Sequence, residues 1–254
     1  GTAAKGPLNQ VVPLGSAAET VEVFGPPDSF ASPAESATPL TLVRGLNQVF
    51  AGGGSTVYAV RIAGGTTATA TAVVEASTNE AFRLSATEPG SWGNDIGVSV
   101  ADAGSTVDPR FRLSVTYLNQ RETFEGNNVG QLRTALAESR LVDVGDPPGT
   151  AAGGTANMVA GTYELTGGLS VPLVNASHVI AGLALLEDQP VNIVMVAGLG
   201  AATVGAPLLA HVERTENDGK ERIAVVGASG SDPATVLADV GGLGDDRVIL
   251  VAPG

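Results

Sequence analysis

The sequence predicts an α/β protein: a mostly parallel sheet with helices on both faces, interrupted by an inserted antiparallel β-rich domain. Three observations predict it. Toward the C-terminus, nearly all-apolar strand segments alternate with helical segments in the order β-α-β-α-β. Strands that are apolar throughout belong to parallel sheets covered on both sides. In the middle of the chain the apolar period drops to two, the mark of half-buried strands in an antiparallel arrangement. Hydrophobic residues make up 43% of the 254 residues, enough for a core, and 34 glycines and 15 prolines make the chain loop-rich without making it disordered.

The elements follow in chain order. Ser16 and Glu19 have the S-x-x-E spacing of a capping box, Val21 and Phe24 lie one helical turn apart, and Gly25 stands where a helix stops. After Pro26-Pro27 and a polar loop, Thr38 is placed to cap a helix with Pro39 in its first turn. Leu42, Val43, Leu46, Val49 and Phe50 form an apolar stripe at helical spacing, ended by Gly52-Gly53-Gly54. Residues 57–62 read as a strand. The run 64–72 contains only Gly, Thr and Ala and reads as a connector.

Beyond it, Phe82 and Leu84 alternate with polar neighbours, as do Ile96, Val98 and Val100, and Phe111, Leu113, Val115 and Tyr117. Residues 129–140 read as a short helix with Val129, Leu132 and Leu136 on one face. Residues 145–157, with Pro147-Pro148, read as a loop, and Tyr163 and Leu165 mark one more strand. After Gly167-Gly168 the pattern reverts. Asn175 caps a helix over 174–187, residues 191–197 form an apolar strand, and Pro207 opens a helix that runs to about 216. Residues 222–227 form a strand, Ser231-Asp232-Pro233 start a helix, and 247–252 form the last strand. The predicted domains are therefore a discontinuous α/β domain, 1–72 with 168–254, and an inserted β-rich domain, 73–167.

Composition removes several kinds of chemistry. The chain has no cysteine, hence no disulfide, thiol nucleophile or thiolate metal site. It has two histidines, His178 and His211. With 13 basic against 26 acidic residues its net charge is −13, the wrong sign for general binding to nucleic acid or an anionic membrane. Residues 193–210 carry no charge, but Gly198, Gly200, Gly205 and Pro207 break them into a strand, a loop and a helix start, so no membrane insertion is expected.

Two loops invite a catalytic reading and fall short of it. Gly198-Leu199-Gly200 follows a strand, but a dinucleotide fingerprint needs its third glycine where Thr203 stands. Gly227-Ala228-Ser229-Gly230-Ser231 approaches a nucleophile elbow, but Ser231 replaces the final glycine and both histidines lie in predicted helices. Ser231 or Asp232 reads better as a helix cap. Asp245-Asp246 reads as a solvated turn. No catalytic, cofactor-binding or metal-ligating residue is assigned.

The segment Glu88-Pro89-Gly90-Ser91-Trp92-Gly93-Asn94-Asp95-Ile96 stands out. Gly90 and Gly93 permit a tight turn, Asn94 and Asp95 can bond their own backbone, and Trp92 can anchor the turn on the core. This segment resembles the G-[ST]-W-G-N-D-I stretch of contractile tail sheath proteins, the family of phage tail, R-type bacteriocin and extracellular injection-system sheaths. Other segments resemble that family in the same order. They include Gly1-Thr2-Ala3 through Gly6-Pro7-Leu8-Asn9, Val23-Phe24-Gly25, Phe50-Ala51-Gly52-Gly53, Val57 to Ile62, Leu165-Thr166-Gly167-Gly168, and His211 with the strand from Arg222. Ala51 stands where the family has Asn, and Leu169-Ser170 where it often has Asp-Gly.

The resemblance implies a structural subunit rather than an enzyme. Copies would stack in six-fold helical rings around an inner tube protein and contract to drive the tube through a target envelope. It implies baseplate and tail terminator proteins as further partners, no cofactor, and a place in a virion tail or in a cytoplasmic or released contractile particle. Gly90, Trp92, Gly93, Asn94, Asp95, Gly167 and Gly168 become structural motif residues. The family's N-terminal arm and C-terminal region are expected to be absent from this chain. Its arms add strands to neighbouring subunits, so the chain alone is expected to polymerise poorly. Two alternatives make different predictions. An α/β hydrolase or nucleotide-binding enzyme needs a pocket with convergent polar groups at the ends of the 191–197 and 222–227 strands. A surface-binding or adhesin module needs a ligand site on 73–167.

Overall fold

Ser16 begins the first helix as its spacing suggests. Its hydroxyl accepts from the Glu19 N–H at 3.2 Å, and the Glu19 carboxylate accepts from the Gly15 N–H at 2.7 Å. Gly25 ends the helix at φ 82°. The computed structural model describes residues 1–27, 40–105, 108–171 and 173–252. The expected Thr38 cap and Pro39 lie outside them. The chain divides into two compact units, Gly1–Thr66 with Val171–Gly254, and Thr67–Ser170.

The first unit begins with β1 (Val11–Leu14), α1 (Ala17–Phe24), α2 (Leu42–Ala51) and β2 (Val57–Val60). β1 and β2 pair antiparallel, Val11 opposite Val60. Phe24, Leu42, Val43 and Leu46 bury the apolar stripe of the two helices with Leu14. The buried Arg61, following β2, donates to the carbonyls of Ala3 (2.9 Å) and Gly6 (2.6 Å) and so fixes the first residues of the chain beside β2.

After the second unit the chain resumes. The helix capped by Asn175 is Ala176–Ala184, and the long helix is Ala201–Asn217. The strands Ile193–Gly200, Ile223–Gly227 and Val248–Val251 form a parallel sheet in that sequential order, and Pro233–Gly242 is the last helix. These six elements complete the unit: in chain order the helices are α4, α5 and α6, and the strands β10, β11 and β12. Val194, Val204, Leu208, Val212, Ala224 and Val226 make the core between α5 and the sheet.

Three expectations for this unit need correction. The sheet is not mostly parallel. Only β10, β11 and β12 run parallel, while β1 and β2 form a separate antiparallel ribbon. Nor do helices cover both faces. Strands added one after another in one direction by right-handed crossovers carry their connecting helices on the same face. On the opposite face Ile193, Met195, Ile223, Ile249 and Val251 are 42–63% exposed. α2 meets β10 only near Ala197, where a Cβ at Gly45 would lie 2.9 Å from the Ala197 Cβ. Finally, Pro207 lies inside α5 rather than at its start. The helix already begins at Ala201, because its Ala202 N–H finds an acceptor elsewhere, described below.

The second unit holds two antiparallel sheets and a helix. The sheets are β3 (Thr71–Glu75), β4 (Glu80–Ala86) and β8 (Val142–Gly145), in the order β3-β4-β8, and β5 (Gly97–Asp102), β6 (Phe111–Tyr117), β7 (Gln120–Gly126) and β9 (Gly161–Glu164), in the order β7-β6-β5-β9. α3 is Val129–Leu136, capped by the Asn128 side chain. Phe82, Leu84, Trp92, Leu113, Val115, Leu132, Leu136 and Leu165 belong to one buried cluster, so both sheets and α3 share a core. The chain enters and leaves this unit as an antiparallel pair. Ala68 and Leu169 exchange hydrogen bonds at 3.0 and 3.2 Å, as do Thr71 and Thr166 at 2.8 and 3.0 Å.

Candidate functional site

The strand ends of the parallel sheet are where an open α/β sheet binds ligands. Here Ser229 makes hydrogen bonds at that position. The Ser229 hydroxyl accepts from the Ala202 N–H at 2.7 Å, satisfying a free donor at the start of α5. It donates to the Asp239 carboxylate at 3.0 Å, and the Ser229 N–H donates to the same carboxylate at 2.7 Å. The glycines of the preceding segment have steric reasons. Gly198 sits at φ 82° against Thr41, whose hydroxyl donates to the Ala197 carbonyl at 2.8 Å. A Cβ at Gly200 would meet the Ser229 Cα at 2.8 Å, and one at Gly205 would meet Leu243 at 2.8 Å.

Neither histidine reaches that loop as a hydrogen-bond partner. His178 accepts the Asn175 N–H at 3.1 Å and completes a capping box at the start of α4. His211 is buried in α5 against Arg222. Asp232, rather than Ser231, caps α6, accepting from the Thr235 N–H at 2.9 Å; hydrogen bonds from the Thr235 side chain and then its backbone hold the carboxyl below the usual carboxylate range. Asp245 accepts from the backbone and side chain of Arg247, which likewise lowers its pKa.

The motif residues of the Trp92 segment come together with the Gly167-Gly168 junction. Ser91–Asp95 form a single 3₁₀ turn after Gly90, at φ 145°. Trp92 is 2% exposed, its indole N–H donates to the Glu88 carbonyl at 3.0 Å, and its ring meets Tyr117 edge-on with centroids 5.1 Å apart. Asn94 pairs with Gly168 through both of its amide atoms: its NH₂ donates to the Gly168 carbonyl at 2.9 Å, and its oxygen accepts the Gly168 N–H at 2.8 Å. The Gly90 N–H donates to the Ala68 carbonyl at 3.0 Å, and the Ser91 N–H to the Ser170 hydroxyl at 2.9 Å. A Cβ on Gly168 would run into the Gly90 carbonyl, and one on Gly93 would lie 2.8 Å from both Ala70 and Ala86. Gly167 adopts φ 85°. Burial raises the Tyr117 pKa, and the Asp95 charge raises it further. The turn thus grips both strands of the neck, the incoming one at Ala68 and the outgoing one at Gly168 and Ser170.

A feature that the sequence did not announce lies in the first unit. A groove of about 540 Å³ runs beside β10, lined by Leu42, Leu46, Val60, Leu183, Ile193 and Met195 among others. β10 has β11 on one side and no described strand on the other, and β2 has β1 on one side only. Asn192 accepts from the Ile223 N–H, so the alternating peptide groups of Ile193 and Met195 point away from β11. At one end of the groove Gly1 occupies a strand position beside β2. Its nitrogen donates to the Val60 carbonyl at 3.1 Å, and its carbonyl accepts the Ile62 N–H at 2.9 Å, the pattern of a parallel pair. No local signal marks this groove, because it forms between elements more than 130 residues apart in sequence.

No protein-family model matches the chain, and no curated protein matches it. Solved structures do. The chain is similar to the sheath tail protein DSY3957 from Desulfitobacterium hafniense, with a TM-score of 0.66 and 17% identity over 99% of this chain and 51% of that one. It is also similar to the sheath tail protein Lin1278 from Listeria innocua, with a TM-score of 0.64 and 17% identity over 89% of this chain and 46% of that one. It spans about half the length of both. The fold of this chain, inserted unit included, is that of the sheath tail proteins.

Proposed function

We propose that the chain is the core of a sheath subunit in a contractile tail or injection machine. The observation that carries this reading is a fold match extending over 99% of the chain. In this role copies of the chain assemble head to tail into helical rings around an inner tube, an open polymer by symmetry. Contraction then draws on the difference in interface energy between two packings rather than on hydrolysis. Baseplate, terminator and tube proteins are its partners, and a phage tail or related contractile particle its location.

The groove beside β10 supports the assembly step. An apolar channel beside the β10 edge, which no described strand covers, is suited to an added strand, whose main-chain bonds supply affinity and whose alternate side chains fill the channel. The Trp92 turn has a complementary task in this reading: it ties together the entering and leaving strands of the second unit.

Negative-stain microscopy of the full gene product that contains this chain tests the proposal. Striated hollow tubes are the expected result, and uniform monomers across salt concentrations would overturn it. Met195→Pro, which removes an outward N–H of β10, is expected to abolish the tubes while the chain still melts cooperatively.

A further inference from the structure

His211 and Arg222 are buried, titratable side chains of the first unit to which the sheath reading gives no task. His211 is 1% exposed and Arg222 2%. Arg222 Nη1 lies 2.8 Å from His211 Nε2. A guanidinium only donates, so Nε2 must carry the lone pair and the ring proton must sit on Nδ1. The other arm of Arg222, Nη2, donates to the carbonyls of Glu187 and Gln189, both at 2.8 Å. One guanidinium therefore ties three pieces of chain together: α5 through His211, the start of β11, and the turn that leads from α4 into β10.

The charges around the pair do not offset a second proton. Arg214, one turn along α5, is paired with Glu187. Lys220, on the connection to β11, is paired with Asp188 at 2.6 Å. Farther along α5, Glu216 is paired with Arg247, which also engages Asp245 before β12. No carboxylate among the described residues bonds His211 or Arg222 directly, and His211 Nδ1 and Arg222 Nε are buried without a partner. A protonated His211 would lose its only acceptor and place a full positive charge against the guanidinium.

We propose that His211 and Arg222 form an acid-sensitive latch: neutral His211 holds Arg222 on the 187–189 turn, and protonation of the ring releases that turn. Burial first, then the charges of Arg222 and Arg214, lower the His211 pKa to about 4. The released turn leads directly into Pro190, Val191 and Asn192, which line one end of the groove beside β10. Acidification therefore loosens the groove before the rest of the unit, and this consequence does not depend on what fills the groove.

The test is a pH series on the 254-residue chain, following the histidine rings by nitrogen NMR and the amides of 187–192 by hydrogen exchange. The expected result is a His211 ring that stays neutral with its proton on Nδ1 well below pH 6.5. As the pH falls further toward about 4, ring protonation and loss of protection at 187–192 should occur together. In His211→Gln the amide oxygen accepts from Arg222 and has no proton to gain, so protection at 187–192 should persist through the same range. Equal acid sensitivity in the wild type and His211→Gln overturns the latch. If His211→Gln does not fold, the wild-type series decides alone. A ring that protonates while protection at 187–192 is unchanged also overturns it.

Discussion

Trp92 illustrates how much one side chain can carry when its neighbours are fixed. It is buried, bonded through its indole N–H and set edge-on to Tyr117. Trp92→Ala should cost about 3–5 kcal/mol, read as a lower urea midpoint. Gly168→Ala places a methyl on the Gly90 carbonyl and should destabilise through backbone displacement at the neck, visible as faster hydrogen exchange at Ala68 and Leu169. His211 gives the chain a pH dependence of definite sign. Its folded pKa lies below its unfolded one, so between pH 6.5 and about 4 the unfolded chain binds more protons. The His211 contribution to stability therefore falls as the pH drops through that window, by at most about 1.4 kcal/mol per pH unit, and changes no further below it. Thermal melts across the window check this against His211→Gln, which lacks the His211 contribution and keeps only the acid dependence of carboxylates such as Asp188, Asp232 and Asp245.

At the scale of elements, α5 depends on a residue from another connection. Its N-terminus has no capping side chain of its own, and Ser229, after β11, supplies the acceptor. Ser229→Ala removes that acceptor and leaves the Asp239 carboxylate with one bond fewer. The expected cost is about 1–2 kcal/mol, with fraying confined to the first turn of α5 and read by amide exchange at 201–204. α1, α4 and α6 contrast with it, since Ser16, Asn175 and Asp232 cap them from within the adjoining sequence. These local caps are why their starts could be read directly.

For the whole chain, the exposed side of the parallel sheet is the feature with the largest consequence. Parallel sheets are ordinarily buried on both sides. Here Ile193, Ile223, Ile249 and Val251 remain exposed beside Met195. Such a surface favours association at high concentration. The double substitution Ile223→Lys with Ile249→Lys should lower the melting temperature of the isolated chain only modestly, because each side chain is only about half buried. It should lower concentration-dependent association in sedimentation runs. A large fall in melting temperature would mean that the two residues are covered in solution.

The sequence by itself determined what local chemistry determines. Ser16, Gly25, Asn175 and Asp232 set helix ends; period-two alternation set β5 and β6; and the glycines around Trp92 demanded a tight turn. The same local reading failed where a partner supplied the missing term of the pattern. β7 carries Arg121, Glu122 and Glu125 and looks unlike a strand, yet it pairs with β6 along its length. Pro207 looks like a helix start because its missing N–H is harmless there, but Ser229 allows α5 to begin at Ala201. Only tertiary structure decided that β1 and β2 form a separate antiparallel ribbon, that Asn94 grips Gly168, and that β10 keeps an open edge beside a groove. The physical reason is common to all three. A residue's polarity records whether it prefers to leave water, but which surface it leaves water against is settled by segments far away in the chain.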